Sequence, residues 1–349
     1  MYFWEIHESK NPQLQMNKKQ NIKEPEKNQN LINQNPLIQF SNHILPYLTP
    51  QELSNISLTC KSLSQISKKI TLNRTLDASR SLENNEIPFH NTLDNTPYAY
   101  FLYTQSNILP SQSITRQSWG GPSPRRPPRY EGLLECDCDC EECNQEEEEE
   151  DGVSVLGVEE VEMGIMSECG TSCGCGFKCR NRLTQKGVSV KLKIVRDLRK
   201  GWGLWADQFI WEGQFVCEYA GELLTTEEAR RRQEIYDKLA SSGRFSSSLL
   251  VVREHLPSGK ACLRVNIDAT RVGNVARFIN HSCDGGNLST MLVRSAGDLL
   301  PRLCFFASRD INEGEELTFS YGEVRIRSKG LQCFCGSSCC LGTLPSENT

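Results

Sequence analysis

The most informative segment of this 349-residue chain is Arg277-Phe278-Ile279-Asn280-His281-Ser282-Cys283, which reads R-F-I-N-H-S-C. It places an amide, an imidazole and a thiol close together in the sequence. A second segment, Glu316 to Gly322, reads E-L-T-F-S-Y-G, and a C-x-C-x4-C pattern follows it. Four thiols are the number that a tetrahedral structural zinc requires. The simplest hypothesis is one zinc that holds the C-terminal segment over the Asn-His segment, with these ligands: Cys283, Cys333, Cys335 and Cys340.

The composition limits the function classes that remain. The length suits two domains, and the net charge of -5 gives no indication of bulk nucleic-acid binding, although it would suit a basic substrate. The first residues lack an apolar signal-peptide core, and no run of about 18 apolar residues exists, so we expect neither secretion nor a membrane span. For the 17 cysteines, thiols bound to metal in the cytosol or nucleus are therefore a better interpretation than disulfides.

A second group of cysteines lies upstream and is closely spaced. The two-residue spans are too short for relaxed disulfide geometry, whereas thiolates gathered around zinc tolerate such spacing. Between its two halves runs the acidic segment Glu146 to Asp151, which is either a solvated loop or an attractor for basic tails. The upstream metal ligands that we predict are Cys136, Cys138, Cys140, Cys143, Cys169, Cys173, Cys175 and Cys179.

These patterns, with Gly201-Trp202-Gly203 and the segment Cys217 to Glu222, resemble the SET-domain histone-lysine methyltransferases of the suppressor-of-variegation class, in its plant related-protein branch. The resemblance implies a mainly β fold with short helices: a SET β-fold with a pseudoknot, flanked by pre-SET and post-SET zinc modules. It implies methyl transfer from S-adenosylmethionine to a histone lysine, namely lysine nine of histone H3, in transcriptional silencing on nuclear chromatin. The alternative is a catalytically weak, zinc-dependent chromatin adaptor.

The resemblance also assigns roles to residues. Tyr321 and Tyr219 would be catalytic, with Phe319 as the position that sets the degree of methylation. The cofactor-binding residues would be Lys200, Gly201, Trp202, Asn280, His281 and Tyr321. The pre-SET module would hold two or three zinc ions, since eight candidate cysteines are present where the family has nine, and the post-SET module would hold one.

Two local patterns have other interpretations. A nucleophilic Cys-His dyad of Cys283 and His281 is a rival to zinc binding. Gly201-Trp202-Gly203 on its own would be a glycine turn with a core tryptophan.

The segment Phe245-Ser246-Ser247-Ser248 departs from the family, because related enzymes often have a tyrosine there that touches the cofactor. A serine hydroxyl offers a hydrogen bond but no aromatic face.

The chain order suggests six regions: a disordered tail (1–35), a small helical region (36–115), a Pro/Arg linker (116–130), the pre-SET module (131–187), the SET domain (188–322) and the post-SET tail (323–349). Residues 36–70 predict two or three short amphipathic helices, with Thr49 as an N-cap. They are similar to an F-box that would bind a ligase scaffold, or they form a plain helical bundle. Thr225 predicts the start of a helix whose wet face carries the pair Glu228–Arg232.

Overall fold

The structure is a computed structural model that describes residues 36–109, 165–171, 173–175, 179–240, 245, 247–255, 262–322 and 331–345. The predictions for the tail 1–35, the linker 116–130, the acidic segment and Cys136, Cys138, Cys140 and Cys143 lie outside these residues. The chain divides into a compact unit that ends at Ser67 and a second that begins at Lys68. Among the described helices, none has both the length and the apolar character needed to cross a bilayer.

The first unit is helical, as the sequence pattern predicts. Thr49 begins the second helix with a capping box: its hydroxyl accepts from the Glu52 N–H at 3.3 Å, and the Glu52 carboxylate accepts from the Thr49 N–H at 2.8 Å. These two bonds satisfy N–H groups that a helix start otherwise leaves unpaired. The helices are α1 (Pro36–Ile44), α2 (Pro50–Ser57) and α3 (Lys61–Leu76), whose last part belongs to the second unit.

The second unit is mostly β-structure, which agrees with the predicted fold class. Its described strands are β1 (Phe89–His90), β2 (Leu102–Tyr103), β3 (Ile165–Glu168), β4 (Leu192–Asp197), β5 (Gly201–Ala206), β6 (Phe215–Glu218), β7 (Gly221–Leu224), β8 (Leu249–His255), β9 (Cys262–Gly273), β10 (Asn280–His281), β11 (Leu288–Ser295), β12 (Arg302–Ala307) and β13 (Thr318–Phe319). They form a three-stranded sheet of order β1-β4-β5, a sheet of order β3-β11-β12-β6, a sheet of order β2-β9-β7 in which β8 also pairs with β9, and the pair β10-β13.

Residues 77–109 differ from the predicted small helical region 36–115, because they extend the sheets of the second unit. β1 pairs in parallel with β4, and β2 pairs in parallel with β9. Ile87, Phe89 and Phe101 are buried in the same hydrophobic core as the strands of the later segments. The helical part of this region therefore ends at Leu76.

The pairing of β10 with β13 brings together the two motif segments from which the sequence prediction began. The strands are parallel, with Asn280 opposite Thr318 and His281 opposite Phe319. Asn287 supports β13, since its amide donates to the Glu316 carbonyl and accepts from the Thr318 N–H, each at 2.9 Å. The R-F-I-N-H-S-C and E-L-T-F-S-Y-G segments consequently lie side by side.

The fourth helix, α4 (Thr226–Ala240), begins after Thr225, whose hydroxyl accepts from the Glu228 N–H at 3.3 Å. The prediction that Glu228 and Arg232 lie on its wet face was wrong. Glu228 is buried, and Arg232 also bonds Glu222 and Asp268, on β7 and β9, at 2.6 and 2.7 Å. This ion-pair network faces the sheet because a buried Asp268 requires a cationic partner.

Candidate active site and cysteine clusters

Glu316 joins two of the predicted cofactor-binding residues. The Asn280 amide nitrogen donates to Glu316 Oε1 at 2.8 Å and to the Trp202 carbonyl at 3.4 Å. The Lys200 ammonium lies 2.5 Å from Glu316 Oε2. Glu316 was not among the predicted site residues, although it begins the E-L-T-F-S-Y-G segment. Among the described residues, the Asn280 amide oxygen is the part of that side chain left to accept from a ligand.

Gly203 leaves room for the Glu316 and Asn280 side chains where β5 passes this group. A Cβ at position 203 would lie 2.8 Å from Glu316 Oε1 and 3.0 Å from the Asn280 amide nitrogen. The Trp202 indole packs edge-on against Phe89, with ring centroids 5.2 Å apart. The segment is part of a strand rather than a glycine turn: the indole packs against the core, while the Trp202 carbonyl and the Gly203 backbone face Asn280 and Glu316. Its role in cofactor binding stays a prediction.

Aromatic rings continue from His281 towards Tyr219. Neighbouring ring centroids are 5.2 Å apart for His281 and Tyr321, 4.9 Å for Tyr321 and Phe319, 4.8 Å for Phe319 and Phe305, and 6.4 Å for Phe305 and Tyr219. The structure thus brings together the three residues predicted to be catalytic. Phe305, which completes the row, was not predicted, since a phenylalanine within an apolar strand has no distinguishing signal.

Both phenols of this row are neutral hydrogen-bond donors. The Tyr321 hydroxyl donates to the Ile279 carbonyl and the Tyr219 hydroxyl to the Ser248 carbonyl, each at 2.8 Å. Burial raises the pKa of Tyr321, and burial together with the nearby Tyr321 phenol raises the pKa of Tyr219. Neither phenol ionises near neutral pH, so each can orient a polar group by hydrogen bonding.

The downstream cysteines form a compact group. The sulfur atoms of Cys283, Cys333, Cys335 and Cys340 all lie within 4.8 Å of one another, and those of Cys283 and Cys333 are 3.8 Å apart. Thiolates held about 2.3 Å from a tetrahedral zinc would be separated by about 3.8 Å. The donor set therefore fits zinc. Cys339 is exposed and is not part of this group.

His281 lies beside this group, with its Nε2 3.3 Å from the Cys283 sulfur. A Cys-His dyad would make the same contact, but here the sulfur also belongs to the four-cysteine cluster. A thiolate that serves as one of the four ligands of a tetrahedral zinc is a structural group rather than a nucleophile. The geometry favours zinc binding over the dyad.

Part of the upstream cluster is described. The sulfur atoms of Cys169, Cys175 and Cys179 lie within 4.8 Å of one another and could hold a metal. Cys173 is not part of that group, and its sulfur accepts from the Gly170 N–H at 3.2 Å. The buried Arg182 supports the cluster, donating to the Gly170 carbonyl at 2.7 Å and to the Cys175 sulfur at 3.4 Å.

Two family patterns match this chain. The SET domain matches residues 201–322, which contain the aromatic row, Asn280 and Glu316. The Pre-SET motif matches residues 79–182, which contain β1, β2 and β3. The Pre-SET match therefore begins inside the region 36–115 that the sequence analysis set apart, in agreement with the sheet pairing of residues 77–109.

The relatives agree with these matches. The chain is 58% identical over 336 residues to the histone-lysine N-methyltransferase SUVR3 of Arabidopsis thaliana, covering 89% of this chain and 92% of the relative. The crystal structure of the methyltransferase domain of human SETMAR is similar at a TM-score of 0.58 and 29% identity, over 77% of this chain and 97% of that one. The crystal structure of KRYPTONITE in complex with DNA, an H3(1-15) peptide and SAH is similar at a TM-score of 0.53 and 26% identity, over 77% of this chain and 53% of that one. The chain belongs to the SET-domain histone-lysine N-methyltransferases of the suppressor-of-variegation class, and it is an S-adenosylmethionine-dependent enzyme.

Proposed function

We propose that this enzyme methylates lysine nine of the histone H3 tail and acts in transcriptional silencing on nuclear chromatin. The observation that carries the proposal is the parallel pairing of β10 with β13, which joins Asn280 and His281 to the segment that ends at Tyr321. The similarity to KRYPTONITE, whose structure contains an H3(1-15) peptide, supports the H3 tail as substrate.

The cofactor end of the site would be formed by Lys200, Gly201, Trp202, Asn280 and His281. When bound, S-adenosylmethionine supplies an electrophilic methyl group on a sulfonium. The Asn280 amide oxygen and the Trp202 carbonyl are acceptors suited to its cationic amino group, and the Lys200 ammonium is suited to its carboxylate. Glu316 holds Lys200 and Asn280 on the two oxygens of one carboxylate, which fixes both side chains before the cofactor arrives.

The lysine end would be formed by Tyr219, Phe319 and Tyr321. A lysine ammonium must lose its proton to solvent water before the amine can attack, and transfer into an aromatic environment favours this loss because it lowers the pKa of the ammonium. The two neutral phenols then orient the amine through their oxygens, so that no carboxylate base is required. Alignment of this kind can lower a barrier by roughly 7–11 kcal/mol.

Phe319 would set the degree of methylation. It is buried, with its ring between those of Phe305 and Tyr321 at 4.8 and 4.9 Å. A phenylalanine adds no hydroxyl that could hold the amine or a water in one orientation. We therefore propose that the product goes beyond monomethyl-lysine.

Zinc would brace the site from two directions. We propose one ion on Cys283, Cys333, Cys335 and Cys340, and two or three ions in the upstream cluster that includes Cys169, Cys173, Cys175 and Cys179 together with Cys136, Cys138, Cys140 and Cys143. The sulfur geometry of the downstream group supports the first ion. Its role would be to fix the C-terminal segment against His281, since Cys283 lies two residues further along the chain.

Methyl transfer to peptides tests the substrate assignment. Zinc-replete protein would be incubated with methyl-labelled S-adenosylmethionine and H3 tail peptides that carry either lysine or arginine at position nine, and mass spectrometry would map the products. We expect label only on the peptide with lysine nine. Equal labelling of both peptides would contradict lysine nine as the methylated residue. Binding of S-adenosylmethionine without methyl transfer to any histone would favour the chromatin-adaptor alternative.

The hypothesis of an F-box in residues 36–70 stays a prediction. The Pre-SET and SET matches begin at residues 79 and 201, and neither bears on this region. A pull-down that compares the full chain with a variant lacking residues 36–70 would show whether a ligase scaffold binds there. Equal recovery of the scaffold with both would leave the region as a helical bundle.

A further inference from the structure

Tyr219 lies at the corner between β6 and β7, where the main chain packs closely against β9. Gly221 pairs with Gly273 across the two strands. A Cβ on Gly221 would lie 2.7 Å from the Asp268 carbonyl oxygen, and one on Gly273 would lie 2.7 Å from a side-chain atom of Ala269. Such distances leave no room for side chains, so main-chain contacts determine where the corner sits.

Asn274 comes directly after Gly273, and its side chain hydrogen-bonds the main chain on both sides of Tyr219. Its side-chain nitrogen donates to the Glu218 carbonyl at 2.6 Å, and its side-chain oxygen accepts from the Ala220 N–H at 3.4 Å. Asn274 is only 1% exposed. A buried amide that bonds the residues before and after Tyr219 restrains the main chain from which that side chain projects.

The same side chain fixes the approach to the cofactor residues. Asn274 is the N-cap of a 3₁₀ helix, Val275–Phe278, and its oxygen accepts from the Ala276 N–H at 3.1 Å. This helix leads into β10, which carries Asn280 and His281. One amide therefore sets both the corner that bears Tyr219 and the start of the segment that bears the cofactor residues.

We infer that Asn274 is a positioning residue for methyl transfer, acting through the main chain at Tyr219. The inference rests on the proposed role of Tyr219 in orienting the substrate amine. The Tyr219 hydroxyl lies at the far end of its side chain, 2.8 Å from the Ser248 carbonyl. A small rotation of the corner moves this hydroxyl through a larger distance than the main chain, and a displacement of about 1 Å at a reacting group can cost roughly 100-fold in rate.

Asn274→Asp is the sharpest test, because aspartate has the same size and is a good N-cap, but it lacks the donor to the Glu218 carbonyl. We expect kcat to fall roughly 10- to 100-fold, while the Kd for S-adenosylmethionine, the KM for peptide and the zinc content stay close to parental. Asn274→Ser is a second, neutral variant: it keeps a capping oxygen and is too short to bond both sides of the corner. It should lower kcat in the same way.

Asn266→Asp is the matched control. Asn266 is also 1% exposed, and its amide donates to a main-chain carbonyl, that of Leu224, at 3.1 Å. It lies on β9 and makes no contact with the Tyr219 corner in the hydrogen bonds described above. The control also loses its donor to a main-chain carbonyl, although Arg264, which donates to the Asn266 oxygen at 3.0 Å, would offset part of the cost; it should keep the parental kcat.

A double-mutant cycle with Tyr219→Phe separates the inference from the proposed function. If Asn274 acts through Tyr219, the double variant should be about as slow as Tyr219→Phe alone, so that the two effects are far from additive. Additive effects, or a parental kcat in both Asn274 variants while Tyr219→Phe is slow, would overturn the positioning role. A parental kcat for Tyr219→Phe would overturn the role of Tyr219 itself.

Discussion

The main-chain N–H of Tyr321 donates a hydrogen bond to Nδ1 of His281 at 3.2 Å, across 40 residues of sequence. Nδ1 is thereby an acceptor, and burial lowers the pKa of His281, so the neutral imidazole carries its proton on Nε2, which faces the Cys283 sulfur. His281 therefore connects the segment that bears Tyr321 to the four-cysteine cluster.

Replacing Tyr321 by phenylalanine should abolish most methyl transfer. The change removes one buried hydroxyl, which donates to the Ile279 carbonyl in the structure and which we propose orients the substrate amine. We expect kcat to fall by roughly 100-fold or more, as for the loss of one oriented catalytic group, with zinc content unchanged.

Tyr98→Phe is the control for that experiment, since it also removes a buried tyrosine hydroxyl. The Tyr98 hydroxyl accepts from Arg74 at 3.0 Å, outside the aromatic row. Near-parental transfer by Tyr98→Phe together with a large loss in Tyr321→Phe is the expected result. Substantial activity retained by Tyr321→Phe would count against the assignment.

Phe319→Tyr should shift the product towards monomethyl-lysine. The added hydroxyl would occupy space between the rings of Phe305 and Tyr321 and could bond an amine or a water, which limits the rotation needed for a second transfer. Mass spectrometry of the product states over a time course is the measurement. The same product spread as the parent would remove Phe319 as the determinant.

The adjacent residues Cys339 and Cys340 allow a metal ligand to be compared with a cysteine outside the cluster. Cys340→Ser should lose one equivalent of zinc by elemental analysis and most methyl transfer, because Cys340 belongs to the four-sulfur group and zinc binding orders its ligands. Cys339→Ser should keep its zinc, since Cys339 is exposed and outside that group. Loss of zinc in Cys339→Ser with retention in Cys340→Ser would reverse the assignment.

The folded enzyme should become less stable as the pH rises from about 4.5 to about 7, because of Glu218. Burial raises the pKa of Glu218 to about 7, although Arg302 lies 3.3 Å away. At a pH between the unfolded value near 4.5 and 7, the folded state holds a proton that the unfolded state has lost, so the free energy of unfolding falls as pH rises through this window.

Glu218→Gln tests this pH dependence, because glutamine stays neutral at every pH in the window. The shift of Glu218 corresponds to at most about 3 kcal/mol. Chemical denaturation at pH 5 and pH 7 should show a smaller loss of stability in Glu218→Gln than in the parent. A parallel pH dependence of the two proteins would contradict the raised pKa.

Local sequence signals predicted the helices well. The Thr49 and Thr225 caps lie where the Ser/Thr-x-x-Glu pattern places them, because a capping box depends on residues three apart. In contrast, β1 and β2 have two residues each and pair with distant segments, so no alternation in their own sequence could reveal them.

The site residues also divide into those that short motifs predicted and those that only the fold reveals. Asn280, His281, Tyr219 and Tyr321 were recognised through short motifs, and the structure brings them together. Glu316 and Asn274 were missed, since a glutamate in a polar segment and an asparagine after a glycine are both ordinary at the surface. Only the fold shows that Glu316 bridges Lys200 to Asn280 and that Asn274 is buried against main chain.

The most direct measurement is calorimetric binding of S-adenosylmethionine to zinc-replete protein, comparing the parent with Gly203→Ala. The added Cβ would lie 2.8 and 3.0 Å from side-chain atoms of Glu316 and Asn280 and would displace both from the cofactor site. Loss of one hydrogen bond to a charged group, about 1.5–3 kcal/mol, corresponds to a loss of affinity of roughly 10- to 100-fold. The account predicts one site per chain in the parent and this weakening in the variant. A parent protein that is folded and zinc-replete but binds no S-adenosylmethionine, or a variant that binds it equally well, would contradict the account.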